Sequence, residues 1–210
     1  MHKPIRNALE SIFAGERQLN VRAEVMNIFS SEHPFADKLK RLDDTVEHYK
    51  IKSISEILVD LLIMNSIAQS TDREAFFDSE EWETIEESTL DRGSELLNMF
   101  LFLQECKDDD MTANLNTFLE DFLLVHEDEF QDEHRIYEDI IKHQEAVESD
   151  EETILKISES LSADSDMKDL FLPLMLYFYG VENKTKIDLS HFTHFQLAAY
   201  AALNGFTTIN

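Results

Sequence analysis

The chain has 210 residues, 43% of them hydrophobic, with fifteen Phe but only four Gly and three Pro. Strand-rich folds need frequent Gly- and Pro-containing turns, so this shortage predicts long helices joined by short polar loops. The net charge of −26 opposes direct binding to phosphate backbones and anionic membrane surfaces, and attracts basic proteins and cations.

The first predicted elements are near neutral: residues 1–71 hold 10 acids and 9 bases. Pro4 suits a first helical turn, Ile5, Leu9, Ile12 and Phe13 follow at helical spacing, and Gly15 ends that helix. A second helix runs from Leu19 to Ser30 with Val21, Val25, Ile28 and Phe29 inward. Pro34 breaks it and opens a third helix to Tyr49. Ser53 and Glu56 read as a capping box for a fourth helix ending near Gln69, with Ile54, Ile57, Leu58, Leu61, Leu62 and Ile67 inward.

Residues 72–152 carry 28 acids against 5 bases, so almost all the excess charge lies there. Ser79 is placed to cap a long helix from Glu80 to about Cys106, with Trp82, Ile85, Leu96, Leu97, Phe100 and Leu103 as its stripe. Asp108 to Asp110 form a loop, and Thr112 caps a helix carrying Leu115, Phe118, Leu119, Phe122 and Leu123. A further stripe of Ile136, Tyr137, Ile140, Ile141 and Val147 follows. Acids at Ser149 to Glu152 mark a new helix start with Ile154, Leu155, Ile157 and Leu161 behind it.

The last third begins with a helix from Asp164 or Ser165 to Tyr179. Pro173 inside it predicts a kink or a restart, and Gly180 an end. The closing helix spans Ser190 to Leu203, with Thr193 and Gln196 as an alternative capping box. From Leu189 to Asn210 there is no Asp, Glu, Lys or Arg. Such a helix is buried on all sides or forms a homodimer or partner interface.

The fold class that follows is all-α, a multi-helix bundle of about nine or ten helices. It reads as a single domain over 1–210, or as two closely packed halves, near-neutral 1–71 and acidic 72–210 with its apolar C-terminal helices. Cys106 stands alone, which excludes an internal disulfide and fits a reducing compartment. No apolar stretch of signal-peptide length opens the chain. The longest apolar run, Leu170 to Val181, is too short for the roughly 20 residues of a membrane helix. The expectation is a cytoplasmic protein with no membrane association.

Signatures of chemistry are sparse. The chain has no Gly-rich phosphate loop, GxGxxG, GxSxG, HExxH or ExxH, and its acidic runs lack the central Gly of a calcium loop. One constellation repays calculation. If a continuous helix ran from Leu115 to Val147, His126, Glu129 and Glu133 would fall on its apolar stripe. An imidazole and two carboxylates there would suit zinc, iron or manganese, or a paired acid and base. The competing readings are a solvated turn and a buried hydrogen-bond cluster. Asp188, His191 and His194, spaced DxxHxxH, spread too far around a helix to converge. No residue is therefore assigned a catalytic, cofactor-binding or metal-ligating role, and no cofactor is expected. The function expected is a non-catalytic acidic interaction module that binds a basic protein, as an inhibitor, immunity, adaptor or regulatory protein. A carboxylate-based or metal-dependent enzyme and a DNA mimic are the alternatives.

Overall fold

The computed structural model describes residues 1–15, 18–90, 92–124 and 135–208. Most of the described residues are helical, and they contain no strand. Nine of their α-helices have ten or more residues. The all-α multi-helix architecture read from periodicity is therefore the observed one. The chain divides into two compact units. Unit 1 comprises residues 1–101 and 201–210, and unit 2 comprises 102–200. That boundary is a different one from the change in charge density at residue 72.

Unit 1 is built around one helix. Its elements are α1 (Lys3–Ile12), α2 (Leu19–Ser30), α3 (Phe35–Tyr49), α4 (Ser55–Gln69), α5 (Arg73–Phe77), α6 (Glu80–Thr89) and the start of α7 (Leu96–Asp108). In α4, Ile57 to Asn65 are buried without a break, as is Ile67. A helix apolar almost all round has no solvent face and becomes the core. α3 packs on α4, on α2 and on α6, and α1 packs on α2 and α4. Two buried amides of unit 1 are paired: Asn65 accepts from the His2 N–H at 3.1 Å and donates to the Phe29 carbonyl at 3.3 Å, and Asn7 donates to the Thr208 carbonyl at 3.1 Å. The C-terminal segment lies against α1. A Cβ on Gly205 would come within 2.5 Å of the Asn7 carbonyl oxygen and 2.7 Å of Ala8 Cα, so only glycine permits this approach.

Unit 2 repeats the arrangement with another buried helix. Leu115–Thr117 (α8) runs into a π-helical turn at Phe118–Phe122. α9 (Glu138–Lys142), α10 (Glu151–Ser160), α11 (Phe171–Asn183) and the start of α12 (His194–Thr207) follow. In α11 every residue from Phe171 to Phe178 is buried, and α9 and α10 pack against it. Phe118 centres an aromatic cluster, with ring centroids 5.2 Å from Phe102, 5.8 Å from Tyr137 and 6.0 Å from Phe178. Edge-to-face and tilted geometries of this kind add to plain burial.

Several boundaries differ from those read in the sequence. The long helix from Glu80 to Cys106 is two helices. Leu90 turns extended at φ −51°, ψ 128°, and Ser94 is then drawn to the Asp60 carboxylate, which an unbroken helix would prevent. The capping box at Ser53 is displaced by a 3-10 turn, Lys52–Ile54, which puts the N-cap position on Ile54. Asn114, not Thr112, caps α8, accepting from the Thr117 N–H at 2.9 Å. Pro173 falls in the first turn of α11, where its missing N–H has no helical partner to lose. The helix passes through Gly180 and stops at Lys184, a left-handed residue with φ 50°. The Thr193–Gln196 capping box forms reciprocally, at 3.0 and 3.2 Å, and starts α12 at His194.

Candidate functional site

The acidic segment enters unit 1 through two capped turns. Asp72 accepts from the Ala75 N–H at 3.1 Å and starts α5. Ser79 accepts from the Trp82 N–H at 3.2 Å and starts α6. Glu80, Glu81 and Glu83 occupy the first turn of α6, where the helix dipole favours negative charge. Ile85 alone is buried on this helix. Glu80, Glu81, Glu83, Glu86 and Glu87 are all exposed, and α6 contains no Lys or Arg. Beside them stands an aromatic group. Phe76 is buried, while Phe77 is 42% exposed and Trp82 is half-buried. Trp82 meets Phe77 edge-on at 4.8 Å and Phe76 at 5.8 Å. The result is a partly exposed Phe77–Trp82 pair at the start of a helix whose exposed charges are all carboxylates.

Two ionisable groups sit deeper in unit 1. Lys38 on α3 is 8% exposed, and burial lowers its pKa against the opposing pull of Glu81. It lines a polar cleft of about 310 Å³ with Ser66, Gln69, Ser70, Thr71 and Glu81. Asp60 on α4 is fully buried. Its carboxylate accepts from the Ser94 N–H at 3.0 and 3.1 Å and from the Ser94 hydroxyl at 2.5 Å. Burial nevertheless pushes its pKa well above the usual carboxylate range, because the Ser94 bonds offset only part of the lost hydration. Gly93 makes room for it, since a Cβ there would lie 2.6 Å from Asp60 Oδ1.

Unit 2 also shows its acids to solvent. Glu105, Asp109, Glu120, Asp121, Glu145 and Glu148 are exposed, and none of the described carboxylates of residues 72–152 is buried. Lys142 pairs with Glu138 at 2.6 Å, and Lys156 with Glu152 at 2.6 Å. A cavity of about 210 Å³ opens between α10 and α11, walled by Leu155, Leu172 and Leu176.

The residues singled out in the sequence fare differently. His126, Glu129 and Glu133 lie outside the described residues. The continuous helix that would align them is interrupted just before them, because Leu124 adopts φ 50° after the π-helical turn. It is interrupted again at His143, with φ −119°. Asp188, His191 and His194 do not share a helix: Asp188 accepts from the Ser190 N–H at 2.9 Å in a turn, and α12 starts only at His194. The Asp188 pKa is lowered chiefly by that bond. Among the described residues no group of three His, Cys, Asp or Glu is arranged to hold a metal ion. Cys106 is buried, and burial, with Glu105 nearby, pushes its thiol up and away from reactivity. Among the described residues no helix is long and apolar enough to cross a membrane.

Lys38 and Asp60 were passed over in the sequence, yet both left a signal. Lys38 sits three residues after Phe35 and four before Leu42, on the apolar stripe of α3. Asp60 interrupts the apolar run from Ile57 to Ile63. A charge on a buried stripe marks a polar contact that only the fold reveals. Comparison of the chain with family models, curated proteins and solved structures found no match.

Proposed function

We propose that this protein is a non-catalytic interaction module whose acidic surface binds a basic protein. One observation carries the reading: α6 presents five exposed carboxylates and no base beside the partly exposed Phe77–Trp82 pair. Interfaces draw most of their affinity from a few aromatic anchors shielded by a polar rim. The exposed charges of α6 are all negative, which steers a positive partner and disfavours negative ones. Arg and Lys side chains also find the faces of Trp and Phe favourable. An inhibitor, immunity, adaptor or regulatory role would use this surface in the same way.

Trp82 is the only tryptophan, so its fluorescence reports on the proposed surface without a label. The test titrates the protein with an amphipathic peptide rich in Arg, Lys and Leu. The expected result is a saturable change in Trp82 emission that is lost in the triple variant Glu83→Lys, Glu86→Lys, Glu87→Lys. A control variant in unit 2, Glu120→Lys, Asp121→Lys, Glu145→Lys, carries the same change in charge. If both variants weaken binding equally, the peptide senses only net charge and α6 is not the site.

A further inference from the structure

We propose that the cavity between α10 and α11 receives a Lys or Arg side chain of the basic partner, an inference that rests on the reading above. The cavity has the two parts such a side chain needs. Its walls are hydrocarbon: Leu172 and Leu176 are buried side chains of α11, and Leu155 and Phe192 are half-buried. Its lining also includes the acidic residues Glu151, Glu152 and Asp188. The volume of about 210 Å³ is on the scale of one long side chain rather than a cofactor, whose pockets run from roughly 300 Å³ upward.

The carboxylates are held in place by the local fold. Glu151 lies in the first turn of α10, behind the Asp150 cap, whose carboxylate accepts from the Thr153 N–H at 2.8 Å. Glu151 Oε2 accepts from the Asp188 N–H at 3.0 Å, and Asp188 accepts from the Ser190 N–H at 2.9 Å. These bonds draw the loop before α12 to the start of α10 and set Glu151 and Asp188 together. Glu152 is already paired with Lys156 at 2.6 Å. The excess charge at the cavity is therefore that of Glu151 and Asp188, with His191 also in the lining. An aliphatic stem buried against leucine with its cation at a carboxylate is the arrangement that Lys and Arg side chains adopt at amphipathic surfaces. A neutral aliphatic side chain would bring no cation to Glu151 and Asp188, and an anion would be repelled.

The experiment follows the methyl resonances of Leu155, Leu172 and Leu176 by NMR while the full chain is titrated. The probes are Nα-acetyl-lysine N-methylamide, Nα-acetyl-arginine N-methylamide and, as the neutral control, Nα-acetyl-norleucine N-methylamide. The expected result is saturable shifts of these methyls with the cationic probes and binding about tenfold weaker for norleucine. The double variant Glu151→Gln, Asp188→Asn keeps a side-chain oxygen to accept from the Asp188 and Ser190 N–H groups and removes the charge. It should weaken the cationic probes about tenfold and leave norleucine unchanged. Equal binding of all three probes, unsaturable shifts, or indifference to the double variant would overturn the assignment. Should the probes fail while α6 charge reversal still abolishes peptide binding, the cavity assignment falls and the acidic-surface reading stands. Should the probes bind while α6 reversal has no effect, the cavity stands and the α6 reading falls.

Discussion

Replacing Asp60 with Asn should remove one loss of stability that wild type suffers as pH rises, and the sign of the effect is fixed by burial. Asp60 is fully buried, and its pKa in the folded chain is raised well above the ordinary value, chiefly by loss of hydration. The unfolded chain titrates this group near the reference of about 3.9. A raised folded pKa means that the folded state holds its proton after the unfolded state has released it. The stability contributed by that proton is fully present below the unfolded pKa and is lost as pH rises through the folded pKa. Between the two values the loss approaches about 1.4 kcal/mol per pH unit for one proton, and above the folded pKa it levels off. The Asp60→Asn change is nearly isosteric. The new carbonyl, in place of Oδ1, can accept from the Ser94 N–H, and the new amide, in place of Oδ2, can donate to the Ser94 hydroxyl oxygen, so the contacts at 3.1 and 2.5 Å keep partners. The assay is urea unfolding by far-UV circular dichroism from about pH 4, near the unfolded pKa, to about pH 8. The stability of the variant minus that of wild type should rise with pH, since the other titrating groups are common to both and cancel. A difference that stays flat across this range would refute the account of Asp60.

Other outcomes follow from the packing. Gly205→Ala should destabilise the chain by about 1–3 kcal/mol, because the contacts at 2.5 and 2.7 Å are with backbone atoms of α1 that no rotamer change relieves. That cost exceeds the gain of up to about 1 kcal/mol that Ala brings to a helix; thermal unfolding would read the balance, and an unchanged or raised Tm would contradict it. Ser79→Ala removes the cap that accepts from the Trp82 N–H and should cost about 1 kcal/mol. A matching shift in Trp82 emission would show that the loss is at the start of α6, and no change in either would mean the cap is idle.

Much of the architecture was legible because it depends on local rules. α2 keeps both predicted ends, Leu19 and Ser30, since its apolar residues recur at helical spacing and Pro34 follows. Ser79 and the Thr193–Gln196 pair cap as read, because capping needs only neighbours in sequence. The features missed depend on contacts made across the chain. The break between α6 and α7 is tied to Asp60, 34 residues before Ser94, and no window around Ser94 contains it. The continuous helix expected from Leu115 gave way to a π-helical turn and a left-handed Leu124, although the apolar spacing of Phe118, Leu119, Phe122 and Leu123 fits an α-helix equally well. The proposed docking surface was half visible. Charge density along residues 72–152 is plain in the sequence, whereas the pairing of Phe77 with Trp82 and the cavity beside α10 and α11 exist only once helices pack.

The most direct test of the central claim is the salt dependence of peptide binding read through Trp82. Affinity for the Arg-, Lys- and Leu-rich peptide would be measured from about 50 mM to about 500 mM sodium chloride, a range over which the Debye length falls below the span of the α6 carboxylates. If the acidic rim of α6 recruits the partner, affinity should fall at least tenfold, and more steeply for wild type than for the Glu83→Lys, Glu86→Lys, Glu87→Lys variant. An affinity unchanged across that range, with Trp82 still reporting saturation, would contradict the claim that the charge of α6 drives binding.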